Sequence, residues 1–111
     1  MTEPFNVPNI LNGGWKNLHF EPFREGIEIA HLLKGEPALA VLRYQPGAAV
    51  PRHNHVGAET VLVLDGSQTD ERATYHAGSL VVNTEGSSHD VVSNNGCVVL
   101  VHWTKPIEIC S

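Results

Sequence analysis

Short apolar runs separated by turn residues are the main pattern of the chain from residue 27 to residue 103. The runs are rich in Val, Leu and Ile, and the Gly, Pro, Asn and Asp between them are typical of turns between strands. No stretch keeps the period of an amphipathic helix. The spacing of roughly 8–12 residues favours an all-β sandwich or barrel. The predicted strands cover residues 27–33, 39–44, 59–64, 72–76, 79–83, 90–93 and 98–103.

Three groups of turn residues divide this region further. Pro46 followed by Gly47 predicts a tight turn, because proline fixes φ and glycine adopts a positive φ. Asp65 followed by Gly66 predicts a hairpin, and residues 94–96, Asn-Asn-Gly, predict another.

The first 26 residues differ from the rest, since they are rich in proline and glycine and lack a strand pattern. We expect residues 1–26 to form an extended N-terminal arm that packs on the barrel or on a dimer partner. Residues 27–111 would form the barrel itself. The apolar anchors of the arm would be Trp15, Leu18, Phe20 and Phe23.

Size and composition narrow the picture to one globular domain. A chain of 111 residues has room for one domain, and a composition with 41% hydrophobic and 17% charged residues is far from that of disordered proteins. The net charge is −5, and the chain has only seven Lys and Arg. We therefore expect no nucleic-acid partner, because no basic field attracts a phosphate backbone.

The first ten residues do not resemble a secretory signal, and the apolar runs of the chain are short. Residues 1–10 lack a basic and an apolar region, and apolar runs such as 61–64 are far shorter than the ~18 residues that cross a bilayer. We expect a soluble cytoplasmic protein with no membrane association. In that reducing compartment Cys97 and Cys110 would stay free thiols.

Four residues in the middle of the chain have the chemistry of a metal site. His53 and His55 lie two apart in a segment that reads as extended, so their imidazoles project from one face. Gly57 allows the chain to turn so that Glu59 reaches the same point, and His89 would reach it from across a closed barrel. Three imidazoles and one carboxylate suit one divalent ion per chain: Fe(II), Zn(II), Mn(II) or Ni(II).

The spacing of these residues resembles the first motif of the cupin superfamily. Gly47, His53, His55, Glu59 and Gly66 are separated by five, one, three and six residues. Each piece alone is weak, since a His-x-His pair or a single glutamate is often structural or solvated. The resemblance implies that the two histidines and the glutamate of this motif are metal ligands.

A second segment resembles the second cupin motif. It contains Gly78, Thr84, Gly86, His89 and Ser93 at the family's spacing, with Thr84 and Ser93 in place of the usual proline and asparagine. Neither of these two positions is a ligand in the family. The two motifs imply an RmlC-like fold, which is an all-β, single-domain cupin double-stranded β-helix, or jelly-roll barrel.

Several further segments carry a closer resemblance: residues 42–47, 59–66, 70–71, 75, 78, 86–89 and 96–97. They resemble the ChrR-type cupins, named for the metal-binding domain of a zinc-dependent anti-sigma factor. This group also contains enzymes similar to acetylacetone and dihydroxyacetophenone dioxygenases, and the resemblance implies a homodimer. We expect no direct anti-sigma role, because no cysteine and histidine zinc motif of a sigma-binding domain precedes the barrel.

Residues outside the four ligands have less specific interpretations. Arg43 and His102 are candidates to support the metal site or to bind substrate, and the sequence leaves open whether either side chain points inward. Asp70 is expected in a solvated turn with Glu71. Tyr75 and Trp103 are expected to be packing residues. Three further histidines are expected at the surface or in satisfied structural positions: His19, His31 and His76.

Two functions are compatible with such a metal site, and we expect a small molecule as the ligand. The first is a mononuclear non-haem Fe(II) dioxygenase that acts on a small dicarbonyl or hydroxyketone as its enolate, inside an apolar barrel lined by Val61, Val63 and Val91. The alternative is a non-catalytic zinc-binding module with a structural, sensing or regulatory role. Isomerase or sugar-modifying chemistry is less favoured, because the metal-free sugar-epimerase cupins usually lack the full set of four ligands.

Overall fold

Ten antiparallel strands form most of the computed structural model, which describes residues 3–110. Met1, Thr2 and Ser111, at the outer ends of the predicted arm and barrel, lie outside the described residues. All seven predicted strands are present, and three more were not predicted as strands: the first, fourth and tenth. The strands are β1 (Glu21–Arg24), β2 (Ile27–Leu33), β3 (Ala38–Tyr44), β4 (Ala48–Asn54), β5 (Glu59–Thr69), β6 (Thr74–His76), β7 (Leu80–Asn83), β8 (Ser88–Ser93), β9 (Cys97–Trp103) and β10 (Glu108–Ile109).

The strands form two halves of one curled sheet that share β5. The first half has the order β1-β2-β3-β9-β5-β7. The second half has the order β10-β4-β8-β5-β6. This is the jelly-roll arrangement of a cupin, and the predicted fold class is confirmed.

A bulge in the middle of β5 lets this strand serve both halves. The register against β9 shifts between Val63 and Asp65, and Gly66 adopts φ +73°, where a Cβ would overlap the carbonyl oxygen of Gly96. The predicted hairpin at Asp65 and Gly66 is therefore wrong, because the strand continues to Thr69. The inserted residue also changes which positions face inward. Odd-numbered residues face inward before the bulge, and even-numbered residues face inward after it.

The interior between the two halves is apolar apart from the site described below. Val63 and Val99 are fully buried there. Val61 and Val91 are almost fully buried, and the sequence predicts Val61, Val63 and Val91 as part of this lining. Burial of these side chains is the main contribution to stability that the barrel offers. It also keeps water largely away from the polar groups that lie at one end of the interior.

The segment before β1 packs on the outer face of the first half of the sheet. It contains two short 3₁₀ turns, Ile10–Asn12 and Gly14–Asn17, rather than only extended chain. Trp15 is buried against Val41 and Val98, and β1 pairs with β2 at the sheet edge. No helix within residues 3–110 has the length and hydropathy needed to span a membrane. Exchange of the arm with a second copy stays a prediction.

Candidate metal centre

The structure brings the four predicted ligand residues to one point inside the barrel. One nitrogen or oxygen atom from each of His53, His55, Glu59 and His89 lies within 4.8 Å of all the others. All four residues are buried, with between 1% and 7% of their surface exposed. Four buried donor atoms this close together could hold one metal ion.

Strand pairing explains how two of these side chains meet. His53 on β4 lies directly opposite His89 on β8. The register between these strands shifts by one residue between Val50 and His53, where Pro51 lies. Proline is tolerated at a bulge because it cannot donate to the ladder. The bulge turns His53 to the same interior face as Val50, as the burial pattern of β4 shows.

The tautomers of His53 and His89 follow from their outer hydrogen bonds. Nδ1 of His53 lies 2.8 Å from the carbonyl oxygen of Pro51, which can only accept. Nδ1 of His89 lies 2.9 Å from Oδ2 of Asp70, a carboxylate whose pKa lies below its usual range although burial alone would raise it. Both Nδ1 atoms therefore donate, and in the neutral ring the lone pair of each lies on Nε2, the nitrogen left for the cluster.

His55 has the same tautomer, fixed by a serine. The hydroxyl of Ser87 donates its proton to the carbonyl oxygen of Thr84 at 2.6 Å. The 2.9 Å contact between Nδ1 of His55 and this hydroxyl must then be an N–H donation from the ring. Nε2 of His55 is left as a buried acceptor with no hydrogen-bond partner among the described residues.

Glu59 is held as a carboxylate at the start of β5. Asn83 donates to Oε1 at 2.9 Å, and the indole N–H of Trp103 donates to Oε2 at 2.6 Å. Burial by itself raises the pKa of Glu59, but the N–H and positive charge of a protonated His55, together with the Trp103 N–H, outweigh it and hold this pKa below its usual range. One oxygen of Glu59 remains 3.3 Å from Nε2 of His55.

This contact tests whether a cation fits the site. Metal binding requires a neutral His55, and in that form Nε2 has no proton, so it and the Glu59 oxygen become two electron-rich atoms 3.3 Å apart in a buried place. Two such atoms repel each other when nothing lies between them, and a positive ion between them would attract both. Burial also lowers the pKa of His53, which keeps its ring neutral as a ligand must be. The donor set could hold one metal ion.

The sequence interpretation missed the residue that orients His89. Asp70 was expected in a solvated turn, but its side chain is fully buried. Its Oδ1 accepts from the backbone N–H groups of Arg72 and Ala73 at 2.8 and 3.2 Å, and from the hydroxyl of Tyr75 at 3.0 Å. Tyr75 is therefore more than a packing residue. Its inward position depends on the bulge in β5 near Gly66, which the sequence does not reveal.

Trp103 and Asn83 also contact the cluster, although the sequence predicts no role for them there. Trp103 was expected only to pack, yet its indole donates to Glu59. Both residues lie opposite Glu59 in the strand register, on β9 and β7. Only the strand register, which the sequence does not show, places these two residues beside Glu59.

Arg43 and His102 are not brought to the cluster. Leu42 and Tyr44 face the interior, and Arg43 between them pairs with Glu28 at 2.7 Å and stacks on the ring of Phe20. His102 lies between two residues that pack toward the interior, Val101 and Trp103, so it faces the outer side of the sheet. His19, His31 and His76 are exposed, as expected.

A small cavity adjoins the cluster within the barrel. His53, Glu59 and His89 line one part of it, and its volume is about 30 Å³. That space is enough for about two water molecules. Most of the remaining lining is apolar and includes Val50 and Val101.

Comparison with known families decides which group this site belongs to. The model of the ChrR cupin-like domain family matches residues 14–107, a range that includes all four residues of the cluster. The chain belongs to this family. The resemblance drawn from the two sequence motifs is thereby confirmed, and the protein is described from here on as a ChrR-type cupin.

Relatives of this ChrR-type cupin have differing functions. The anti-sigma-E factor ChrR of Cereibacter sphaeroides is 35% identical over 89 residues, which is 78% of this chain and 42% of that protein. The crystal structure of Rhodobacter sphaeroides SigE in complex with the anti-sigma ChrR has a TM-score of 0.73 at 28% identity, covering 79% of this chain and 50% of that one. The ChrR-type cupin thus spans half or less of the length of these two relatives.

An enzyme has the same fold. The structure of an acetylacetone dioxygenase from Acinetobacter johnsonii has a TM-score of 0.80 and covers 100% of this ChrR-type cupin and 79% of its own chain. The sequence identity is 16%, so this similarity concerns the fold alone.

Proposed function

We propose that this ChrR-type cupin binds one divalent metal ion with His53, His55, Glu59 and His89 and acts as a mononuclear Fe(II) dioxygenase. The substrate would be a small dicarbonyl or hydroxyketone in its enolate form. The observation that carries the proposal is the convergence of one donor atom from each of three imidazoles and one carboxylate, all within 4.8 Å of one another, beside a largely apolar cavity. A bound Fe(II) would supply O₂ activation and Lewis acidity.

The protein's own residues supply the negative charge that a metal ion needs and exclude water from the site. Three neutral imidazoles and Glu59 bring one negative charge to the site, so one anionic group of a substrate balances a divalent ion. Asn83 and Trp103 keep both oxygens of Glu59 hydrogen-bonded and in place. The apolar walls, which include Val61 and Val91, limit access of water to the enolate.

The alternative is a non-catalytic zinc-binding module with a structural, sensing or regulatory role. The same four donors suit tetrahedral Zn(II). Two observations favour it: the narrowness of the cavity, and the 35% identity to an anti-sigma factor. Residue types do not distinguish the two functions, because both ions accept the same ligands.

Metal analysis followed by oxygen uptake separates the two proposals. We expect about one ion per chain by inductively coupled plasma mass spectrometry of the protein as purified. Fe(II)-loaded protein should then consume O₂ with acetylacetone or another member of a diketone and hydroxyketone panel. The zinc-binding module would be supported instead if the purified protein held one zinc per chain and the iron-loaded protein consumed no O₂ with any compound of the panel.

A cytoplasmic homodimer is part of the same proposal. The family resemblance is its motivation, and the exposed Leu80 and Val82 on the edge strand β7 are consistent with a contact between copies. Sedimentation velocity should give about twice the 12.1 kDa mass of one chain. A single boundary at the mass of one chain would refute the dimer.

A further inference from the structure

An exposed arginine connects three segments on the outer face of the second half of the sheet. Arg52 lies on β4 immediately before His53, and its side chain is 47% exposed. Its Nη1 donates to Oγ of Ser88 at 3.2 Å. Its Nη2 donates to a carboxylate oxygen of Glu71 at 2.8 Å and to one of Asp90 at 3.2 Å. One guanidinium group thus joins β4, β8 and the turn that follows β5.

Each of these outer contacts is made one residue away from a residue of the interior site. Neighbouring side chains on a strand lie on opposite faces, so an outward contact is close in the chain to an inward group. On β8, the two contacted residues are those on either side of His89. In the turn, the contacted residue follows Asp70, which accepts from Nδ1 of His89. The contacts of Arg52 therefore link the backbone segments that carry His53, His89 and Asp70.

The backbone ladder between β4 and β8 is interrupted at this point. The register shifts between Val50 and His53, and Pro51 within the shift has no N–H to donate. The side chain of Arg52 crosses between the strands at the interruption and supplies contacts where the ladder is irregular. A planar guanidinium can donate to several separate oxygens at once in a fixed geometry. The position of His53 relative to β8 therefore depends in part on a side chain outside the barrel.

We propose that Arg52 is a positioning residue that sets the spacing of His53, His89 and Asp70 from outside the barrel and thereby raises the affinity of the cluster for a metal ion. This inference rests on the proposed function, because spacing affects affinity only if the cluster binds a metal. The three side-chain contacts of Arg52 within residues 3–110 are with residues other than the four ligands, so its effect on the ion is indirect.

Charge and geometry predict opposite results when Arg52 is replaced by a neutral residue. Its positive charge repels a cation in the cluster, so by charge alone its removal would strengthen metal binding or leave it unchanged. Loss of positioning would weaken metal binding instead. The direction of the change therefore separates the two effects.

Zinc is the probe, and its affinity is measured by competition with a chelator. Arg52→Gln should bind zinc about threefold to tenfold more weakly than the wild type, because two surface ion pairs and one hydrogen bond are lost together. Arg52→Lys keeps the charge without the planar fork and should recover part of this loss. Lys34→Gln is the matched control, since it removes the same charge from an exposed turn between β2 and β3, and it should bind zinc as the wild type does.

Hydrogen exchange at Nδ1 of His89 in the zinc-free protein gives a readout that does not depend on the metal. The bond to Asp70 protects this proton, and we expect faster exchange in Arg52→Gln. Weaker zinc binding with faster exchange would support the proposal. Zinc affinity equal to or higher than that of the wild type would overturn it and leave the metal function in place. No zinc binding by the wild type would refute the metal function itself, and faster exchange would then support only the positioning of His89.

Discussion

Replacing His55 with alanine is expected to lower zinc affinity by more than about 100-fold. Its Nε2 is the buried acceptor without a protein partner among residues 3–110, and its ring is fixed through Ser87. Even residues that only orient metal ligands typically cost about 10- to 100-fold in affinity when replaced, so loss of a ligand should cost more. Competition with a coloured chelator measures the dissociation constant.

Stability measurements give a second result for the same variant. A ligand at 100 times its dissociation constant stabilises a protein by about 2.7 kcal/mol, so zinc should raise the melting temperature of the wild type. It should not do so for His55→Ala at the same zinc concentration. His76→Ala, at an exposed position outside the cluster, is the matched control and should behave as the wild type. Equal zinc binding by His55→Ala and His76→Ala would contradict the assignment.

The substitution Asp70→Asn is expected to weaken metal binding by about 10- to 100-fold through the tautomer of His89. Oδ1 of Asp70 accepts from Arg72, Ala73 and Tyr75, so the single side-chain oxygen of the variant would stay on that side. The amide nitrogen of the variant would then face Nδ1 of His89, and two donors cannot share that contact. His89 would move its proton to Nε2, which could no longer bind the ion.

Nitrogen-15 NMR of the imidazoles distinguishes this mechanism from general damage. The zinc-free wild type should have the proton of His89 on Nδ1, and Asp70→Asn should have it on Nε2. Tyr75→Phe is the control, because it removes one hydrogen bond to Oδ1 but leaves the carboxylate facing His89. Its zinc affinity should fall less than that of Asp70→Asn. A His89 proton that stays on Nδ1 in Asp70→Asn would refute the tautomer mechanism.

The sequence predicts the fold and the four clustered residues because both depend on local spacing. Turn residues delimit each strand, and His53 and His55 share a face through the two-residue period of an extended chain. His89 was brought in by its place in the second motif. These features need no knowledge of which strands are neighbours.

Residues that support the cluster depend on pairing and on bulges, which the sequence does not display. Asp70 and Gln68 face inward only because β5 contains an extra residue near Gly66, whereas a predicted hairpin ended that strand at Leu64. The inward side of Arg43 and His102 stayed open for a different reason, because both faces of β3 and β9 contain buried apolar residues. One inserted residue reverses every later position on a strand, so inward-facing positions are lost unless the bulge is found.

The most direct test is a crystal structure of the zinc-loaded protein with anomalous data collected at the zinc edge. One anomalous peak should lie about 2.0–2.2 Å from Nε2 of His53, His55 and His89 and from an oxygen of Glu59. A peak elsewhere, or one contacted through Nδ1 of any of these rings, would contradict the ligand set on which the account depends.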